Sequence, residues 1–117
     1  MLTRVVAIAL ITTLPGTAVS GELVTPSFRI IVTENCQEGD VSCQDVSYIG
    51  TSRRTGKSIT LKGLALSSMC SDGVTPCQHL GYQFKNGRYV YFVGDDGHLL
   101  VTRNGTTIIS EMGKWTL

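Results

Sequence analysis

The chain has 117 residues, 42% of them hydrophobic and only 16% charged, with 13 glycines, 4 cysteines and a formal net charge of +1. That composition excludes a disordered chain, which lacks the apolar residues for a core, and it excludes a coiled coil or a charged nucleic-acid tail. The length allows one domain.

In Met1-Leu-Thr-Arg4 one positive charge precedes an apolar run from Val5 to Leu14; Pro15-Gly16 breaks the run and Ala18-Val19-Ser20 follows. This is the three-part layout of a secretory signal, with small residues on either side of Val19 ahead of the cut. A membrane helix needs about 20 apolar residues, and the Pro-Gly pair stops this run too early. Residues 1–20 are therefore expected to be a signal peptide cut after Ser20, and residues 21–117 a single β domain of the periplasm or the cell exterior. No cysteine stands at the cut and no other apolar stretch is long enough to span, so no membrane anchor is expected. Loss of Arg4 leaves nine basic residues against nine acidic ones, which argues against nucleic acid as a partner.

Beyond the signal no window sustains a helical period, whereas several alternate with period two or carry β-branched and aromatic runs between turn residues. The first predicted strand is 28–34. Cys36 and Cys43 follow, with a Glu38-Gly-Asp40 turn between them, and Glu34, Glu38, Asp40 and Asp45 crowd this loop. The second strand is 46–52. Arg53, Arg54 and Lys57 then form a basic hairpin tip, with Lys62 close behind, ahead of a third strand at 58–64. The acidic loop and the basic tip read either as two solvated faces or as a bipolar docking surface. Cys70 and Cys77 repeat the earlier spacing of seven around Asp72-Gly and Pro76.

Strands at 80–84, 88–93, 98–103 and 106–111 complete the series. Asn86-Gly87 and Asn104-Gly105 tolerate positive φ and suit tight hairpins, and Gly94-Asp-Asp-Gly97 makes a four-residue turn. These four strands read as an antiparallel meander. Tyr89, Tyr91 and Val93 share one face of their strand while Val90 and Phe92 share the other, as expected for a central or curled strand. Trp115 is expected to cover an edge or end of the sheet. The fold class is all-β, a small antiparallel barrel or sandwich of about seven strands.

Export makes disulfides the default for the four cysteines, and of three possible pairings the local one, Cys36 with Cys43 and Cys70 with Cys77, is favoured because both loops hold turn residues. Each bond would contribute about 2.5 kcal/mol by the chain-entropy model. Zinc prefers closer ligand spacing with histidine partners; His79 follows Cys77, but the first loop has no counterpart, so no metal is expected. The two loops also match beyond their cysteines. Residues 36–48 lie over 70–82 at an offset of 34 with five of thirteen positions identical, among them Tyr48 and Tyr82. An internal repeat of 36–63 and 70–97 is the reading, with chance similarity of two turn-rich loops as the alternative.

Catalytic signals are weak. No serine sits in a nucleophile elbow, and oxidised cysteines offer no thiolate. His79 and His98 read as surface residues, Asp95-Asp96-Gly97 as a turn with too few oxygens for calcium, and Thr55-Gly-Lys-Ser58 lacks the first glycine of a phosphate loop. No enzyme, cofactor or catalytic residue is expected.

The signal, the size, the strand content over residues 27–112 and the disulfides resemble the small bacterial periplasmic proteins that inhibit lysozymes. That resemblance implies a compact antiparallel barrel whose loop or groove plugs an enzyme cleft. It lies in the layout and not in a motif. The Ser-Gly signature with a downstream tyrosine has no counterpart, Asn86-Gly-Arg-Tyr89 being the nearest stretch, so no functional residue is carried over. The leading expectation is a protein-binding domain of the inhibitor or immunity type, with Arg53, Arg54, Lys57, Glu38, Asp40 and Asp72 as candidate contact residues. A carbohydrate or small-ligand module using Tyr82, Tyr89, Tyr91 and Trp115 is the second reading, and a structural envelope protein the third.

Overall fold

The computed structural model describes residues 19–37 and 42–116. Period-two alternation is realised as nine strands: β1 (Val19–Val24), β2 (Phe28–Glu34), β3 (Val46–Ser52), β4 (Ser58–Met69), β5 (Pro76–Asn86), β6 (Tyr89–Gly94), β7 (His98–Arg103), β8 (Thr106–Met112) and β9 (Lys114–Thr116). All pairings are antiparallel, and the sheet order is β8-β7-β6-β5-β4-β3-β2-β1-β9. Only Gly113 separates β8 from β9, so one continuous segment pairs β7 with its first part and β1 with its last. The sheet thereby rolls into a nearly closed barrel, not a sandwich.

Nine strands replace the expected seven because β1 and β9 both carry weak local signals. Val19-Ser-Gly holds small residues, and β9 is three residues long. The expected cut after Ser20 falls within β1, and residues 1–18 of the expected signal lie outside the described residues. Among the described residues no helix is long and apolar enough to cross a membrane.

Alternation fixes what faces inward. Ile30 and Val32, Val46 and Tyr48, and Leu99 and Val101 are buried on β2, β3 and β7, and Leu23, Leu61, Phe84 and Val93 join them. Burying each such aliphatic or aromatic side chain stabilises the fold by about 1.5–3 kcal/mol. The interior is narrow, so large and small residues alternate: the Tyr48 ring lies against Gly50 and the Phe84 ring against Gly63. Tyr89 and Tyr91 pack on the core beside Val93, while Val90 and Phe92 on the opposite face are half-buried.

The Asn104-Gly105 hairpin forms as the sequence requires, with φ of 51° and 83° at its two central residues. The earlier hairpin is shifted by one. Asn86 pairs with Tyr89, so Gly87 and Arg88 are the central residues, and Gly87 takes the positive φ of 62°.

The seam closes only in part. Glu22, Leu23 and Val24 pair with Thr116, Trp115 and Lys114. Trp115 packs against the core, and its indole N–H donates to the Gly94 carbonyl at 2.9 Å. The same register, continued, would set Thr25 against Gly113 and Ser27 against Glu111. Instead the chain turns, with the Thr25 N–H donating to the Phe28 carbonyl at 2.9 Å and the Phe28 N–H to the Thr25 hydroxyl at 3.0 Å. Ladder pairing with β1 ends there. Ser27 keeps a link to the Glu111 carboxylate, its hydroxyl donating at 2.6 Å and its N–H at 3.1 Å. Beyond that link the edge of β8 stands apart from the turns at 25–27 and 53–57. Gly113 is the corner: a Cβ there would collide with the Val24 carbonyl, and its N–H donates to the Gly97 carbonyl at 2.8 Å.

Candidate functional site

Two places collect the residues that the sequence singles out, and β4 joins them. Its twelve residues span about 40 Å at the usual strand rise, with the basic turn at one end and the second cysteine loop at the other.

At the cysteine end, both local disulfides are present, Cys36–Cys43 and Cys70–Cys77, and no free cysteine remains. Such bonds point to an oxidising compartment. β4 pairs β3 only as far as Gly63, and β5 pairs β6 only from Gly81 onward. Residues 66–80 therefore make a two-stranded ribbon that extends past the barrel and is stapled near its tip by Cys70–Cys77. Its base is braced on two sides. The Ala65 N–H donates to the Cys43 carbonyl at 2.8 Å, and the Asp95 N–H to the Leu80 carbonyl at 3.0 Å. Val74, at the tip, is 78% exposed and Met69 53%.

Asp72 organises the tip. Its carboxylate accepts from the Val74 and Thr75 N–H groups, each at 2.9 Å, and from the Thr75 hydroxyl at 2.6 Å. The Thr75 hydroxyl first, then the two N–H groups, hold its pKa down at about 2. This carboxylate is thus committed within its own loop.

A polar cluster marks the base of the ribbon. His79 Nδ1 lies 2.7 Å from Asp95 Oδ2, and the imidazole meets Tyr82 edge-on with ring centroids 4.9 Å apart. The Tyr82 hydroxyl donates to Glu34 at 2.6 Å. Burial, then that bond to Glu34, pushes the phenol pKa well above its ordinary value. His79 Nε2 is buried without a partner among the described residues. Sequence reading missed this cluster, because the register that builds it follows from the one-residue shift of the hairpin at 86–89. Gly81 pairs Gly94, and one more step of that register brings the residues around 79–80 against 95–96.

At the other end of β4 the seam opens as a cleft. An outer chamber of about 520 Å³ is bounded by Ser27, Arg53, Arg54 and Glu111. An inner chamber of about 210 Å³ reaches Tyr48, Ile59, Tyr91 and Leu99, with Lys57 on its rim. Phe28, Ser52 and Ile109 belong to both. Arg53 is held by the turn at 25–27: its guanidinium donates to the Thr25 carbonyl at 2.8 Å, and its N–H to the Ser27 carbonyl at 2.9 Å. Burial raises the Glu111 pKa, but hydrogen bonds from the Ser27 hydroxyl and N–H help to outweigh it, leaving the carboxyl below its ordinary value.

The fold therefore gathers Arg53, Arg54 and Lys57 around one opening and places Asp72 far from them. Glu38 and Asp40 lie outside the described residues. Of the acidic and basic groups expected to face each other, Lys62 and Asp45 form an exposed pair at 3.4 Å, a contact of little energetic weight. The four aromatic residues proposed for a ligand surface do not share one. Tyr91 lines the inner chamber, Trp115 closes the seam, Tyr82 serves the ribbon base, and Tyr89 lies beneath the Arg103 guanidinium at 5.8 Å. No protein-family model, curated protein or solved structure matches the chain.

Proposed function

We propose that this chain is a non-enzymatic partner-binding domain of the inhibitor or immunity type, acting in the periplasm or outside the cell, and that the stapled ribbon is its contact element. One observation carries the reading. From Ser67 to His79 the two strands of the ribbon ladder only with each other, yet the ribbon is braced at the base, cross-linked near the tip, and exposes Met69 and Val74. Scattered exposed apolar residues are ordinary on a protein surface. Two of them on a pre-ordered projection are better placed to enter a cleft, because a rigid element loses little conformational entropy on binding. The layout's resemblance to lysozyme inhibitors makes lysozymes the first partners to assay.

The test pairs the wild-type mature protein with a Met69→Asp/Val74→Asp variant. Both are assayed for inhibition of a panel of lysozymes and for capture of proteins from envelope extract, with captured proteins quantified by mass spectrometry. The expected result is a partner that the wild type holds and the tip variant holds at least about tenfold less, at an unchanged melting temperature. Equal capture by both proteins, or no saturable partner for the wild type, would overturn the ribbon's role.

A further inference from the structure

We propose that the seam cleft is a second binding site, independent of the ribbon, and that it takes a small amphipathic anion: an apolar body with a single carboxylate head. The inner chamber is built for the body. Phe28, Tyr48, Ile59, Tyr91, Leu99 and Ile109 supply its walls. Its volume of about 210 Å³ exceeds the roughly 150 Å³ of an apolar cavity that accepts benzene. With the outer chamber of about 520 Å³, the cleft falls within the range of small-molecule sites.

The rim selects the head. Arg53, Arg54 and Lys57 line the two chambers against one carboxylate, Glu111. Glu111 is already turned to Ser27, which gives it two hydrogen bonds. Arg53 spends part of its guanidinium on the Thr25 and Pro26 carbonyls, which fixes its charge at the mouth. Arg54 and Lys57 form no ion pair among the described residues. A carboxylate is the head that this rim pairs best, since a guanidinium offers it a matching fork of donors.

The chain itself explains why such a cleft exists in a barrel this small. The turn at 25–28 takes β1 away from β8 before the seam is finished, so the gap is set by a backbone course and not by a missing side chain.

Calorimetric titration of the mature protein with octanoate, 3-phenylpropionate and octanol tests the site. At least one carboxylate is expected to bind saturably, and the tighter of the two identifies the body as a chain or a ring. Octanol should bind about tenfold or more weaker than octanoate, the scale of one charge-assisted contact. Arg54→Glu with Lys57→Glu should weaken carboxylate binding by a similar factor and leave the melting temperature unchanged. Ile109→Trp should fill the common wall and abolish binding. The double charge variant alters only exposed side chains, so it decides the matter even if Ile109→Trp fails to fold. No saturable carboxylate binding at millimolar concentration, equal binding of octanol, or unchanged affinity in the charge variant would overturn the site.

Discussion

Asp72 shows how a charged residue that reads as a surface contact can be consumed by its own loop. Its three acceptor contacts to Val74 and Thr75 favour the ionised form and lower its pKa to about 2, from an ordinary 3.8. A carboxyl whose folded value is depressed contributes order that is fully present above the ordinary value and is lost as pH falls toward the folded value. The ribbon tip should therefore loosen between about pH 4 and pH 2. Carbon-detected titration should place the Asp72 midpoint near 2, with the Val74 and Thr75 amide shifts moving together with it. In Asp72→Asn those shifts should stay flat across the same range. A midpoint at the ordinary value would mean that the loop bonds do not persist in solution. The local signal, Asp-Gly within a cysteine loop, was legible as a turn. What was not legible is that Thr75, three residues on, would use up the second carboxylate oxygen.

Individual strands were legible where alternation is strong and hidden where a cross-link or a distant partner substitutes for it. Residues 28–34, 46–52 and 98–103 match β2, β3 and β7 at both ends. β4 and β5 run five and four residues further toward the disulfide than their expected limits at 64 and 80. Ser67-Ser68-Met69 and Cys77-Gln78-His79 carry no apolar alternation, and they pair because Cys70–Cys77 holds their ends together. A lone two-stranded hairpin is marginal in water, so the staple decides whether the ribbon is ordered. Replacing both Cys70 and Cys77 by serine should release residues 66–80 from amide-exchange protection while β2, β3 and β7 keep theirs. The chain-entropy estimate for this bond is about 2.5 kcal/mol. Were the ribbon to unfold together with the barrel, the melting temperature would fall by about 10–20 °C. A ribbon that opens on its own leaves the melting temperature within about 3 °C, and hydrogen exchange read beside a thermal melt separates the two outcomes.

The meander at 80–112 was legible from its turns, but closure of the barrel was not, because it depends on a three-residue strand meeting the other end of the chain. Glu22 and Thr116 are 94 positions apart, and no period or turn signal reaches across that distance. The cleft was hidden for the same reason: the basic residues at 53–57 could be read as a cluster, but the opening they surround exists only where the seam stops. Topology also sets the order of events, since contacts between neighbouring strands close short loops and the seam closes the longest one. Trp115 should then be unbound to Gly94 when the transition state is crossed. Trp115→Phe removes the indole hydrogen bond and some packing, a loss of about 1–2 kcal/mol and enough for a reliable φ-value. Trp115 is the one tryptophan, so the kinetics are followed by tyrosine fluorescence. The variant should unfold about five- to thirtyfold faster and fold at the wild-type rate, whereas Val101→Ala, buried in the meander on β7, should slow folding. Slower folding of Trp115→Phe would instead make the seam part of the nucleus, and the chain ends would have to meet before the meander is complete.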